Sequence, residues 1–93
     1  MTLPTVTKNV LNANYVQVTW SDINSNASWL SLKDALNSKV TICISTGWLI
    51  KKDSDVHIIV SDVNFNEDGT LGDVGNITTM PSSNVIKIKK IQL

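Results

Sequence analysis

The chain has 93 residues, with eight lysines balanced by eight acids and no arginine. Neutrality excludes wrapping of duplex nucleic acid by counterion release, and the missing guanidinium removes bidentate recognition of phosphate or guanine. This length supports one domain with a single modest core. Val, Ile and Thr fill 29 positions, and such β-branched side chains suit a pleated, half-buried surface, so the expected fold class is mostly β.

Residues 1–14 read as an N-terminal arm punctuated by Pro4, Asn9, Asn12 and Asn14, with only Val6, Val10 and Leu11 to bury. A short helix from Thr7 and a loose segment docking on the rest are both open. Met1-Thr2-Leu3-Pro4 lacks the charged region and apolar core of a signal peptide, and no transmembrane run follows, so a cytoplasmic location is expected. The first strand is Tyr15–Trp20, where alternation is clean. A polar loop from Asp22 to Ser28 leads to Ser31, which with Asp34 resembles a capping box. Leu32, Ala35 and Leu36 then fall at i, i+3 and i+4, predicting a short helix over an open end of a barrel.

The second strand is expected from Val40 to about Ile50. Its Cys43, the lone cysteine, reads as a small strand or core residue rather than a nucleophile or metal ligand. Gly47 stands where a bulge or sharp bend needs it. After the polar turn Lys51-Lys52-Asp53-Ser54-Asp55, the third strand runs from Val56 to Val63. There Val56, Ile58 and Val60 alternate with His57, Ile59 and Ser61. Residues 64–73 form a loop whose acids lack the ligand register of an EF-hand. A fourth strand, Val74–Met80, meets Pro81-Ser82-Ser83-Asn84, a single 3₁₀-type turn. The last strand, Val85–Ile91, carries lysines that face solvent or guard an edge. Five short strands, with a short helix after the first and a turn before the fifth, are the layout of an SH3-like or Sm-like five-stranded small barrel spanning residues 15–93.

Gly47, Leu49, Lys51, Asp53, Val56, His57, Ile58, Val60 and Asp62 stand at the positions of the pattern Gly-x-Leu-x-Gly-x-Asp-x-x-Met-Asn-Leu-x-Leu followed by an acid. In this the chain resembles the first motif of Sm, LSm and Hfq-like proteins. Pro81–Val85 falls at the second motif, Ile-Arg-Gly-x-x-Val, and Ile77–Ser82 resembles the Ile-Ser-Thr-x-x-Pro-Ser stretch of Hfq-like proteins. The likeness covers residues 15–91, and the compact design with Trp20, Trp29 and Trp48 resembles phage-encoded members, which would put the protein in the host cytoplasm. It implies a closed homo-oligomeric ring of roughly five to seven subunits, the fourth strand of one pairing with the fifth of the next. It also implies binding of single-stranded RNA, often uridine-rich, near the pore.

On that resemblance the candidate RNA-contacting residues are His57, Asp53, Asp55, Lys51, Lys52, Ser83 and Asn84. Several depart from the family pattern. His57 replaces the base-reading Asn, Asp55 replaces a residue that often stacks on the base, and Pro81 and Ser83 replace the Arg and acid of the second motif. Val74 and Gly75 stand at the Lys-His pair of Hfq-like proteins. His57 can donate, accept and stack, or it is a strand histidine facing solvent or a subunit interface. Asp53 suits a turn that bonds its own backbone, and Lys51 and Lys52 suit either phosphate or solvent. Trp20 and Trp48 fit a core or interface; Trp29 fits an exposed position.

No Ser-His-acid set, paired carboxylates or phosphate loop stands out, and one His with one Cys gives no metal site, so neither an enzyme nor a cofactor is expected. The expected function is a ring-forming binding module for single-stranded RNA. A phage structural or interaction scaffold and a nucleotide-binding sink are the alternatives.

Overall fold

A computed structural model describes Leu3, Pro4 and residues 10–93. Five antiparallel strands run as β1 (Tyr15–Asp22), β2 (Thr41–Lys52), β3 (Val56–Phe65), β4 (Leu71–Pro81) and β5 (Val85–Lys90). One short helix, α1 (Leu32–Leu36), lies between β1 and β2, and a 3₁₀ turn (Ser82–Asn84) joins β4 to β5. The mostly-β class and the element order follow the sequence reading. The short helix expected from Thr7 begins at residues outside the described set.

The strands form a single sheet in the order β4-β3-β2-β1-β5. This sheet is open, where a barrel was expected. Among the described residues nothing pairs with the outer edge of β4 or of β5.

One face of the sheet makes the core. Val16, Val18, Ile59 and Met80 are buried together, with Trp20, Leu49, Val85 and Ile88 packed against them. Their register explains the grouping: Val18 lies opposite Ile88, Trp20 opposite Val85, Leu49 opposite Ile59 and His57 opposite Met80. Directly paired residues share a face, so these side chains stack on one side. On the other side Trp48 lies opposite Val60, and both are buried. The ring of Tyr15 meets Trp48 edge-on at 5.0 Å. The Trp48 Nε1 donor is buried with no partner among the described residues.

The expected bend in β2 is present, with its parts differently placed. The irregularity in the β2–β3 pairing lies between Leu49 and Lys51, leaving Ile50 as the bulged residue. Gly47 serves the close crossing of two strands instead. A Cβ there would stand 2.5 Å from the Val60 carbonyl oxygen and 2.8 Å from its carbon. Beyond this crossing β2 leaves β3, and Thr41–Thr46 pair only with β1.

Every strand outruns its expected end on at least one side except β5, which stops at Lys90. β2 continues to Lys52 because the turn after it needs only three residues. β4 starts at Leu71 because the loop before it is a tight hairpin connection. There Asn66 N–H donates to the Thr70 carbonyl (2.8 Å), Gly69 N–H donates to the Asn66 carbonyl (2.9 Å), and Gly69 takes a φ of 86°. The Asp68 carboxylate accepts both the Thr70 hydroxyl and backbone N–H, which holds its pKa below the ordinary value. Within β4, Asn76 adopts a φ of 51°, a left-handed conformation Asn tolerates better than most residues.

The helix forms as its cap predicts, with Ser31 Oγ accepting the Asp34 N–H at 3.1 Å. Its placement differs from expectation. None of its residues is buried, and it sits at the tip of the β1–β2 hairpin rather than over the sheet. Amphipathic spacing fixes a helix and its apolar face, but not what covers that face. The described chain is accordingly long and narrow, 61 × 23 × 21 Å.

Candidate functional site

Four of the seven residues singled out from sequence, Asp53, Asp55, His57 and Asn84, take part in the hydrogen bonds that link the β2–β3 turn to the 3₁₀ turn and the end of β1. The β2–β3 turn is closed by Asp53. Its backbone N–H donates to the Val56 carbonyl (3.1 Å), and its Oδ1 accepts the N–H groups of Asp55 and Val56, both at 2.8 Å. Those two backbone donors, with Lys51 adding a smaller electrostatic contribution, hold the Asp53 carboxyl below the ordinary Asp pKa. Lys51 Nζ stands 3.6 Å from Asp53 Oδ2, with both side chains well exposed, a pair that water largely screens.

Ser82 then ties this turn to the end of β4. Its backbone N–H donates to the Asp55 carbonyl (2.9 Å), and its hydroxyl donates to the Asp53 carbonyl (2.6 Å). The same hydroxyl oxygen lies 2.8 Å from His57 Nδ1. A serine has one hydrogen, and here the Asp53 carbonyl takes it, so His57 Nδ1 must be the donor. The neutral imidazole is therefore the Nδ1–H tautomer, with its lone pair on Nε2. Ser82 is not activated as a nucleophile by this arrangement, because no base accepts its proton.

His57 is only 7% exposed and lies on the core face beside Ile59 and opposite Met80. The expectation that it faces solvent or a subunit interface is corrected by this burial. The apolar look of Val56, Ile58 and Val60 pointed to the opposite face, but the pairing with β2 and β4 puts His57 and Ile59 inside. Asn84 is likewise committed to structure: its Nδ2 donates to the Ser21 carbonyl (2.9 Å), and its own carbonyl accepts the Ser21 hydroxyl (3.4 Å). Ser83 Oγ reaches only its neighbour Asn84 Oδ1, at 3.3 Å.

The seven residues therefore divide. Asp53, Asp55, His57 and Asn84 hold backbone together, whereas Lys51, Lys52 and Ser83 are exposed and make no bond beyond the Lys51–Asp53 ion pair and the Ser83–Asn84 contact. Ser82, the residue that joins the two turns, was not among the sequence candidates. Its partner His57 is 25 residues away, so no local spacing announces the contact. Of the tryptophans, Trp48 is buried, Trp20 is partly buried with Nε1 donating to Ser45 Oγ at 3.0 Å, and Trp29 is fully exposed. Cys43 is a half-buried free thiol on β2, opposite Trp20.

Among the described residues, no cluster of three or more His, Cys, Asp or Glu side chains is placed to hold a metal ion. No helix among them is long and apolar enough to cross a membrane. No family model, curated protein or solved structure matches the chain.

Proposed function

We propose that this protein is a homo-oligomeric, Sm-like binding module whose copies join edge to edge into a ring. The observation that carries the reading is the pair of free edges. An all-antiparallel sheet ending in β4 on one side and β5 on the other offers two unpaired ladders, which identical copies can satisfy head to tail. Exposed branched side chains on both strands, Ile77 on β4 and Ile86 on β5, would be covered by that pairing. Rotation that closes gives a ring, of roughly five to seven copies on the Sm-like resemblance.

Within such a ring the linked turns supply the ligand surface, and single-stranded RNA is the ligand the resemblance favours. Lys51, Lys52 and Ser83 are the residues free to meet phosphate and sugar. A second reading, a scaffold without nucleic-acid binding, is favoured by the commitment of His57, Asp53 and Asn84 to internal hydrogen bonds.

Native mass spectrometry tests the assembly: a monomer at micromolar concentration sinks it. Fluorescence anisotropy with labelled oligo-U at low salt tests the ligand. Binding should weaken in Lys51→Ala/Lys52→Ala and fall steeply as salt rises. Assembled protein that ignores oligo-U and oligo-A at low salt leaves the scaffold reading standing.

A further inference from the structure

The two ends of the sheet carry charge of opposite sign. From Val56 to Pro81, through β3 and β4, the chain holds four acids, Asp62, Glu67, Asp68 and Asp73, and no lysine. β5 holds three lysines and no acid. β4 and β5 are the outermost strands of the sheet, so its whole width separates the two groups. The one ion pair among the described residues, Lys51–Asp53, involves neither group.

The charges also share a face. Lys87 and Lys89 lie opposite Thr19 and Gln17, whereas Ile88 between them lies opposite Val18 of the core. Both lysines therefore stand on the side away from the core. On β3, Asp62 follows Val60 by two residues and so shares the side of Val60 and Trp48, again the one away from the core. Asp62 lies opposite Gly75, and Asp73, two residues before Gly75, belongs to the same row. Lys87, Lys89, Asp62 and Asp73 are all exposed.

We propose that β5 pairs with the acidic end of β4 in a second copy, in an antiparallel register that sets Lys89 against Asp73 and Lys87 against Asp62. This rests on the edge-to-edge reading above and specifies its contact. Placing Ile88 opposite Val74 brings two apolar side chains together on the core face and puts Lys89 directly opposite Asp73. A shift of two residues either way would put Gly72 or Asn76 opposite Ile88 instead. Lys87 then lies opposite Gly75, where a Cβ would meet only Asp62 Cβ, at 3.9 Å. A lysine stem crossing that gap can reach Asp62 on the next strand, two strand spacings or roughly 10 Å away. Parallel strands could also set lysines on acids, but the antiparallel direction brings Val85 and Ile86 alongside Ile77 and Asn76 and covers Ile77 as well. A lysine row alone would suit any anion. An acidic row on the matching face of the same chain singles out a second copy.

Size-exclusion chromatography with light scattering at low salt reads the mass. Lys87→Glu/Lys89→Glu sets like charge against like at every junction and should weaken association at least about a hundredfold, leaving monomers at micromolar concentration. Adding Asp62→Lys/Asp73→Lys in the same chain should restore the wild-type mass. Wild-type assembly should loosen as salt rises, and Asp62→Asn/Asp73→Asn, which keeps side-chain shape, should flatten that dependence even where a reversed chain fails to fold. An assembly whose mass survives Lys87→Glu/Lys89→Glu, or whose salt dependence survives Asp62→Asn/Asp73→Asn, overturns the ion-paired register and leaves edge pairing itself standing. A folded four-fold variant that stays monomeric overturns the register as well. Wild type that is monomeric at low salt overturns both. Weaker binding of labelled oligo-U by Lys87→Glu/Lys89→Glu at unchanged mass assigns the lysines to nucleic acid and overturns the proposal.

Discussion

Ser82→Ala removes one hydroxyl and should cost more than any other surface serine. In the folded chain that oxygen accepts the Nδ1–H of a His57 that is 7% exposed. Without it the imidazole donor is left buried and unpaired, and a buried donor in that state costs about 1–3 kcal/mol. The lost bond to the Asp53 carbonyl adds little, because that turn is open to water. For a domain of this size, 1 kcal/mol moves Tm by about 4–8 °C, so Tm should fall by roughly 5–20 °C. Urea unfolding followed by tryptophan fluorescence reads the change. Protein concentration must be fixed, because assembly adds to apparent stability.

Two companions make the measurement decisive. Ser83→Ala, whose hydroxyl touches only Asn84, should stay within about 0.5 kcal/mol of wild type. In a His57→Phe background, Ser82→Ala should lose most of its effect, since no buried donor remains to be stranded. Equal costs in the two backgrounds, or a Ser82→Ala protein as stable as Ser83→Ala, would refute the hydrogen-bond chain and the tautomer deduced from it.

Gly47→Ala should destabilise by about 1–3 kcal/mol in the same assay, because its Cβ meets the backbone of Val60 and the two strands must part. Gly75→Ala is the control: its Cβ would find nothing nearer than Asp62 Cβ at 3.9 Å, and a change as large as that of Gly47 would discredit the crossing. The Asp53 carboxyl titrates below its unfolded value of 3.8, so its contribution to stability is complete above that pH and lost as pH falls through the lower, folded value. Asp53→Asn keeps an acceptor oxygen but cannot titrate, so its urea midpoint should fall less than that of wild type between neutral pH and pH 3. Identical pH profiles would count against the carboxylate as the closing group. Ile59→Ala should cost about 2–5 kcal/mol, the range for emptying a closed core site, whereas Ile77→Ala, at a 55% exposed position, should cost far less.

Local physics made much of this fold legible in the sequence. Apolar runs and alternation located the strands, Ser31 marked the helix start, and Asp53 was readable as a turn residue because Asp bonds backbone two and three residues on. Register was not legible. Whether His57 or Ile58 enters the core depends on the bulge at Ile50 and on the partner offered by β4, neither of which His57 and its neighbours encode. The same holds for Ser82, whose link to His57 spans two strands and a loop. The helix was found but misplaced, since Leu32, Ala35 and Leu36 specify an apolar face and say nothing of its cover.

These misplacements have a common direction. Two expectations assumed that apolar residues of one chain are buried by that chain: a helix folded over the sheet and a sheet closed into a barrel. In the structure the β2 strand passes the Gly47 crossing and carries Ile42 and Ile44 away from the core, while β4 and β5 end the sheet without meeting. Most of the apolar surface left over lies on the end of the β1–β2 hairpin, its connecting segment and β4. Scattered exposure needs no explanation, whereas concentration on elements that are themselves marginal in isolation does. Joining Trp20 to Ser45 through a short turn should leave the core of Val16, Val18, Ile59 and Met80 folded, read as a retained cooperative urea transition.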